Sequence, residues 1–203
     1  MKKTINEVVV NEIIVDKSRF IAYLINVTSL DEFNKFLDNL KKNNPKARHF
    51  CYAYIINNNK KGSDDGEPKG SAGMPLLTSL EKNSLTNVGV IVIRYFGGIL
   101  LGSGRLLRTY VKAFEEVFKK ATLIELVPKK EVSIELDYDI YDTFKNYLKV
   151  NHFNVVNTSF SDKIVITFIV DLDFNFEELN DKYLLKLKLI DIKDYLERNE
   201  ING

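Results

Sequence analysis

The chain has 203 residues, of which 45% are apolar and 28% are charged. These values are ordinary for folded proteins, so they exclude a large multidomain machine and a wholly disordered chain. No uncharged apolar run approaches the roughly 18 residues that a membrane-spanning helix needs, so we expect a soluble, cytoplasmic protein. One cysteine, Cys51, excludes an internal disulfide and a thiolate-rich metal site.

The two parts of the chain differ in the sign of their charge, although the net charge is only +1. Residues 1–122 carry 19 Lys and Arg against 12 Asp and Glu, whereas residues 123–203 carry 10 against 16. Charge acts on association and solubility rather than on the fold. We therefore expect the first part of the chain to meet any polyanionic partner.

The first part of the chain shows the patterns of a mixed α+β domain. Two β-rich runs, 5–15 and 20–27, are joined at 16–18 and predict a strand pair. A capping box at Ser29 begins a helix whose apolar residues recur at helical spacing until 43–45. Further along, the sequence predicts a strand over 50–56, a polar Gly-rich segment over 57–73, a short helix over 75–82, a buried strand over 88–96 and a helix after the glycines of 97–104.

The composition turns acidic at 128–130, and glycine is then absent until Gly203. We place a boundary here, with an N-terminal domain over 1–124 and a C-terminal domain over 129–203. The second domain shows a β-α-β-β-α-β order, the split form of a ferredoxin-like sheet. Its expected elements are a strand over 131–137, a helix over 140–150, strands over 153–160 and 163–172, a helix over 176–185 and a strand over 187–194.

The strongest functional signal is a Gly-rich loop between the strand over 88–96 and the next helix. Nine of the ten glycines fall between Gly62 and Gly104, so the backbone there is expected to approach a ligand closely. Free N–H groups at a Gly-rich loop and helix start bind phosphate or carboxylate. The positive end of the helix dipole disfavours arginines in the first turns of a helix, so we expect an anionic partner to offset this repulsion. The candidate anion-binding residues are Arg48, Lys69, Arg94, Gly97, Gly98, Gly102, Gly104, Arg105 and Arg108.

This loop matches neither of two common phosphate-binding motifs. Gly102 is followed by Ser103, without the lysine of a P-loop, and Leu107 stands where a dinucleotide fingerprint requires glycine. A structural alternative is a tight strand-to-helix turn whose arginines pair with nearby carboxylates. Both interpretations stay open at the level of sequence.

A second cluster places three carboxylates, Asp64, Asp65 and Glu67, within four residues. Carboxylates so placed could bind a divalent cation or act as acid and base. The alternative is that Asp64 and Asp65 form turn hydrogen bonds or pair with the arginines. The sequence therefore leaves a metal at this site undecided. Cys51 is expected to be buried and inert, because no group that would activate its thiolate can be named.

Three linked motifs follow one another in the first part of the chain. They are Ala47–Ala53 (ARHFCYA), Ser63–Pro68 (SDDGEP) with Gly70–Pro75 (GSAGMP), and Arg94–Gly98 (RYFGG) with Leu101-Gly102 and Leu107–Tyr110 (LRTY). In their order and spacing these motifs resemble the YigZ/IMPACT family. The resemblance covers roughly residues 1–122, and it departs from the family at Arg105, where glycine is usual. It implies a first domain like the second domain of a small-subunit ribosomal protein and a second domain like the fifth domain of elongation factor G.

The resemblance also carries functional expectations. Eukaryotic members restrain a translation-linked kinase through an extra N-terminal domain, for which this chain has no room, so that partnership is not expected here. For bacterial members the resemblance implies association with nucleic acid or the ribosome.

We therefore expect a non-enzymatic protein that binds RNA or the ribosome through phosphate contacts on its basic Gly-rich face and regulates translation. The alternatives are an enzyme acting on a small anionic substrate with a metal at the acidic loop, and a protein–protein adaptor. We expect no cofactor and no membrane partner, and the sequence does not define the oligomeric state.

Overall fold

The computed structural model describes residues 1–184 and 186–200. The chain divides into two compact units, the first built on residues 1–125 and the second on residues 126–198. Each unit combines helices with an antiparallel sheet, so the expected mixed α+β class with two domains is confirmed. Among the described residues, no helix is both long enough and apolar enough to cross a bilayer.

The first unit is a five-stranded antiparallel sheet covered by helices on both faces. The strand order is β2-β3-β6-β4-β5. Helix α1 packs on one face, and helices α2 and α3 pack on the other. The elements are β1 (Lys2–Ile5), β2 (Val9–Val15), β3 (Ser18–Asn26), α1 (Leu30–Asn43), β4 (His49–Ile56), β5 (Asn59–Ser63), α2 (Gly73–Lys82), β6 (Val88–Tyr95) and α3 (Ser103–Phe118).

Strand β6 lies at the centre of this sheet, which explains its nearly continuous apolar sequence. Val90 and Val92 belong to the core beneath α2 and α3, whereas Ile91 and Ile93 belong to the core beneath α1. Successive side chains of a strand point to opposite faces. The stretch of β6 over residues 88–93 is buried on both faces and consists of apolar residues and one glycine, and the buried Arg94 follows it. The prediction of a doubly buried strand here is confirmed.

Two local features of the first unit differ from the sequence predictions. The run predicted as one strand over 5–15 is interrupted, because β1 ends at Ile5 and β2 begins at Val9. The polar segment after β4 contains an additional strand, β5, which pairs with β4. Strand β5 lies at the sheet edge and consists of polar residues and glycine, so it carries none of the apolar alternation that marks a strand.

The second unit has four strands in the order β10-β7-β9-β8. Its core packs the apolar face of the sheet, with residues such as Ile134 and Phe168, against Phe144 and Leu179 from its two helices. The elements are β7 (Leu123–Leu136), α4 (Tyr138–Val150), β8 (Asn154–Phe160), β9 (Ile164–Val170), α5 (Phe176–Lys182) and β10 (Lys188–Glu200).

Strand β7 starts earlier than predicted, at Leu123 rather than Glu131, and runs through Pro128. Pro128 precedes the residues that pair with β9, which begin at Lys130, so its missing N–H interrupts no bond of that ladder. The helix predicted to end at Leu185 ends at Lys182, and Leu185 itself lies outside the described residues.

Candidate functional site

Three connecting segments of the first unit lie at one end of its sheet. His49 pairs with Arg94 across β4 and β6, and Arg19 pairs with Tyr95 across β3 and β6. The start of β4, the end of β6 and the turn between β2 and β3 are therefore neighbours. The segment that follows β5 joins them, because the carbonyl oxygen of Asp65 lies 2.8 Å from Nδ1 of His49. Most of the residues singled out in the sequence belong to this end of the sheet.

The acidic loop, residues 64–72, is organised by the carboxylate of Asp64. This carboxylate accepts hydrogen bonds of 2.8 to 2.9 Å from the N–H groups of Gly70, Ala72 and Gly73. Ala72 is the N-cap residue of α2 and has no side-chain acceptor, so Asp64 caps the helix from outside it. Partial burial alone would raise the pKa of Asp64, but the three N–H donors outweigh burial and hold the pKa below its usual value.

Asp65 joins the acidic loop to the start of β4. Its Oδ2 accepts a hydrogen bond of 2.7 Å from the backbone N–H of Phe50. Its backbone has a φ of 41°, in the left-handed region that aspartate tolerates better than most residues. The turn-bonding interpretation of Asp64 and Asp65 thus describes their contacts in the structure.

Glu67 is the centre of a buried polar cluster. Its Oε1 accepts hydrogen bonds from Nη1 of Arg94 at 2.7 Å and from the hydroxyl of Tyr110 at 2.8 Å. The side chains of Arg94 and Glu67 are only 6% and 4% exposed. Sγ of Cys51 completes the cluster, at 3.2 Å from the hydroxyl of Tyr110 and 2.9 Å from the carbonyl oxygen of Asp64. The three motifs that carry the family resemblance therefore meet in one internal network.

Burial determines the chemistry of this cluster. It raises the pKa of the Cys51 thiol, and together with the nearby Cys51 and Glu67 it raises the pKa of the Tyr110 hydroxyl. Both groups stay protonated at neutral pH. Because only the thiolate is a strong nucleophile, Cys51 is a packing residue, and its predicted burial is confirmed.

The Gly-rich loop, residues 96–102, is anchored at its start. The N–H of Gly97 donates to Oγ of Ser18 at 3.1 Å. A Cβ on Gly97 would lie 2.1 Å from the carbonyl carbon of Lys17, so only glycine fits against the β2–β3 turn. Gly98 has a φ of 86° and open space around it. The loop is thus held at Gly97 and turns outward immediately afterwards.

Beyond Gly98 the loop exposes apolar side chains. Leu100 is 87% exposed and Ile99 is 43% exposed, while Leu101 packs against the core. Phe96, which precedes the glycines, and Leu107, in the first turns of α3, are each 38% exposed. Four apolar side chains in the Gly-rich loop or close to it in the chain are therefore exposed to solvent.

The predicted anion-binding residues divide into buried and exposed ones. Arg94 was expected to be exposed, and this prediction is wrong. The residue is buried inside the unit, where its guanidinium group pairs with Glu67. Arg105 is half exposed and pairs with Asp16 of the β2–β3 turn through two contacts of 2.5 and 3.0 Å. Arg108 is exposed. Gly97 is half-buried, and the other predicted positions, Arg48, Lys69, Gly98, Gly102 and Gly104, are exposed or half-buried in the same part of the unit.

The three carboxylates of the acidic loop bind separate partners and do not converge on a common centre. Asp64 binds three N–H groups, Asp65 binds a fourth, and Glu67 is enclosed by Arg94 and Tyr110. Within residues 1–184 and 186–199, no group of three or more His, Cys, Asp and Glu side chains could hold a metal ion.

Sequence reasoning missed three residues that shape this region: Tyr110, Ser18 and Asp16. Tyr110 belongs to one of the quoted motifs, so the motif itself could have indicated it. Asp16 stands 89 residues before Arg105, and no local pattern connects them. Such partners become visible only when the chain is folded.

The fold and this internal network define a class of two-domain α+β protein with a rigidly supported, exposed Gly-rich loop. The Impact N-terminal domain family model matches residues 16–118. The chain is 35% identical over 164 residues to the IMPACT family member YvyE of Bacillus subtilis (strain 168), covering 79% of this chain and 76% of the relative. The chain therefore belongs to the IMPACT family, and the resemblance seen in the sequence is confirmed.

One further comparison concerns the family and another concerns the fold. The IMPACT family member YigZ of Escherichia coli (strain K12) is 34% identical over 129 residues, which cover 61% of this chain and 63% of that relative. A solved structure titled "Crystal structure of an hypothetical protein" has a TM-score of 0.73 at 25% identity and covers 95% of this chain and 98% of its own. The likeness in fold therefore extends over nearly the whole chain.

Proposed function

We propose that this protein binds RNA, free or on the ribosome, through the exposed cations around its Gly-rich loop, and that it thereby acts in the regulation of translation without being an enzyme. One observation carries the proposal: the base of the Gly-rich loop is held by contacts within the unit, while exposed cations such as Arg105 and Arg108 lie beside the loop, in the first turns of α3. Membership of the IMPACT family supports the connection to translation.

The strand before the loop and the helix after it are tied together at a single atom. Arg94, near the end of β6, and Tyr110, in α3, both bind Oε1 of Glu67. Removing an ion pair from water is costly and adds little net stability, so its presence is better explained by the geometry that it imposes on the loop. A loop that is already ordered loses less conformational entropy on binding.

The exposed part of this region is cationic. Arg48, Lys69 and Arg108 are exposed, and residues 1–122 carry a net charge of +7, from 19 basic and 12 acidic side chains. Arginine presents a planar fork that matches phosphate. The Arg105–Asp16 pair is solvent-accessible, and pairs of this kind contribute only about 0 to 1 kcal/mol, so a phosphate can replace Asp16 on Arg105.

The finer fold resemblances belong to this proposal as well. Strands β7 and β8 are connected by α4 but separated in the sheet by β9, which supports a ferredoxin-like second unit. A likeness of the first unit to the second domain of a small-subunit ribosomal protein, and of the second unit to the fifth domain of elongation factor G, would fit a protein of the translation apparatus.

The structure gives no support to the enzymatic alternative and some support to the adaptor alternative. The enzymatic alternative needs free carboxylates in the acidic loop, but all three of them accept hydrogen bonds from within the unit. The adaptor alternative is favoured by one observation, the exposure of Ile99 and Leu100. Apolar contacts depend weakly on salt, whereas phosphate contacts depend on it strongly, so salt dependence separates the adaptor from the RNA-binding protein.

The test is a titration of the protein with single-stranded and structured RNA at two salt concentrations. We compare the wild type with the double variant R105A/R108A and with the control K119A/K120A, which removes the same charge at the other end of α3. The wild type should bind RNA more weakly at higher salt. If both arginines contact phosphate, the slope of log K against log salt should be smaller in magnitude by about 1.4 for R105A/R108A, at roughly 0.7 per contact.

The control variant should bind like the wild type. Helix α3 rises about 1.5 Å per residue, so Lys119 lies on the order of 20 Å from Arg105. No binding of the wild type to any RNA, or an equal loss in both double variants, would contradict the proposal. Co-sedimentation with ribosomes, with the same three proteins, tests the ribosomal form of the proposal.

A further inference from the structure

The Gly-rich loop and the start of α3 combine two kinds of exposed side chain in one short segment. Between residues 96 and 108, Phe96, Ile99, Leu100 and Leu107 expose apolar surface, and Arg105 and Arg108 are exposed cations. Exposed apolar clusters beside polar groups commonly mark interaction sites. A partner for this segment must therefore offer apolar surface and negative charge together.

We propose that the RNA bound here is single-stranded, with bases lying against the exposed apolar side chains of this segment and phosphates meeting the cations beside them. This inference rests on the proposed function and specifies its ligand. In an RNA duplex the bases are paired and stacked, and proteins contact mainly phosphates and 2′-hydroxyls. Phe96 and Leu100 would gain little from a duplex, whereas unpaired bases offer them apolar faces.

Phe96 has the surroundings of a base-stacking residue. The guanidinium carbon of Arg48 lies 5.7 Å from the centre of its ring, and that of Arg94 lies 5.6 Å from it. Because Glu67 holds Arg94 in place, the ring has a fixed support. Phe96 keeps more than a third of its surface exposed, and Arg48 is exposed beside it. Bases stack on aromatic rings and on guanidinium planes, so Phe96 and Arg48 together provide a surface for a base.

An acidic protein segment is the main competitor for the same surface. Two features favour the nucleic acid. Leu100 projects into solvent at 87% exposure, whereas helices and strands of a partner protein usually dock their apolar residues into a groove. In addition, an aromatic ring beside an exposed arginine suits a flat base better than an aliphatic side chain.

The experiment measures binding by fluorescence anisotropy of full-length protein to three labelled probes of equal length. The probes are a single-stranded oligouridine, a duplex, and a single strand in which abasic sites replace most bases. The wild type should prefer the oligouridine to both other probes by about tenfold or more, because only this probe has unpaired bases that can stack on the protein.

The decisive variant is Phe96→Ala, with Phe160→Ala as its control. Phe160 is 59% exposed and lies in the second unit, so both variants remove an exposed phenyl ring. F96A should weaken oligouridine binding by about tenfold while leaving the salt dependence and the duplex affinity unchanged, and F160A should bind like the wild type. Leu100→Ser should weaken oligouridine binding by a few-fold. Because the Leu100 side chain is exposed and is not needed for folding, this variant replaces F96A in the test if F96A does not fold.

The outcomes distinguish this inference from the function on which it rests. Equal binding of all three probes, with F96A and L100S like the wild type, overturns the single-stranded assignment, while a loss in R105A/R108A still supports RNA binding. Failure of every RNA probe overturns both. Binding of poly-glutamate as tightly as oligouridine overturns the inference in favour of an acidic protein partner.

Discussion

The acidic loop and the Gly-rich loop each belong to one of the family motifs and lie at the same end of the sheet, but their side chains point in opposite directions. The carboxylates of the acidic loop turn inward and bind backbone N–H groups, an arginine and a tyrosine. The side chains of Ile99 and Leu100 in the Gly-rich loop turn outward to solvent. One loop therefore supports the structure, and the other is available to a partner.

This difference shows that charge alone does not identify the residues that contact a ligand. Arg94 and Arg105 stand near the same glycines, but one is buried against Glu67 and the other is half exposed beside Asp16. Substitutions in the supporting network should mainly change folding stability. Substitutions at the exposed cations should mainly change binding.

The largest effect on stability is expected for Arg94→Ala. This substitution leaves the Glu67 carboxylate buried without its charged partner, and breaking a buried pair in this way costs about 3 to 5 kcal/mol. Urea unfolding measures the loss. The control is Arg19→Ala, which breaks the exposed pair with Glu12 and should change stability far less, because exposed ion pairs contribute little.

A combined variant sharpens this expectation. Because Glu67→Gln removes the buried negative charge, R94A/E67Q should lose less stability than the sum of the single variants. Equal, small losses in R94A and R19A would show that the buried pair does not support the loop.

A smaller effect is expected for Asp64→Asn. The variant replaces a carboxylate that accepts three N–H bonds, and hydrogen bonds to charged groups are worth about 1.5 to 3 kcal/mol each when measured singly, so we expect a net loss of about 2 kcal/mol at neutral pH. Asp38→Asn, at an exposed position of α1, is the matched control. Thermal or urea unfolding compares the two variants with the wild type.

The effect of Asp64 should also depend on pH. Its pKa in the folded protein lies below the ordinary value of 3.8, so its contribution to stability is fully present above that value and is lost as the pH falls through the lower, folded-state pKa. The difference between wild type and D64N should therefore shrink on acidification below 3.8. A difference that grows on acidification would contradict the assigned role.

The smallest effect on stability, and a gain rather than a loss in binding, is expected for Asp16→Asn. Asp16 has a φ of 46°, which asparagine also tolerates, and the pair that it forms is solvent-accessible, so stability should change by less than about 1 kcal/mol. Removal of the carboxylate frees Arg105 for phosphate. RNA affinity at low salt should therefore rise a few-fold in the titration described above.

The control for Asp16→Asn is Glu12→Gln, which makes the same change in net charge and releases Arg19 instead. Equal gains in D16N and E12Q would indicate that only the total charge matters. A gain confined to D16N would identify Arg105 as a contact residue.

Most of the fold could be predicted because its elements carry strong local patterns. The helix after Ser29 is predicted by the helical spacing of its apolar residues, and the doubly buried strand β6 is predicted by its continuous apolar run. The edge strand β5 could not be predicted in this way, since polar residues and glycine form it only by pairing with β4. The continuation of β7 through Pro128 was not predicted either, because proline ordinarily indicates the end of a strand.

The sequence by itself determined the mixed α+β class, the family and the positions of both loops, since these depend on periodicity and on motifs that are local in the chain. Only the tertiary structure decided which charges are buried. Glu67 meets Arg94 and Tyr110 across 27 and 43 residues, and Arg105 meets Asp16 across 89. Burial and charge pairing are properties of neighbours in space, and the fold chooses those neighbours.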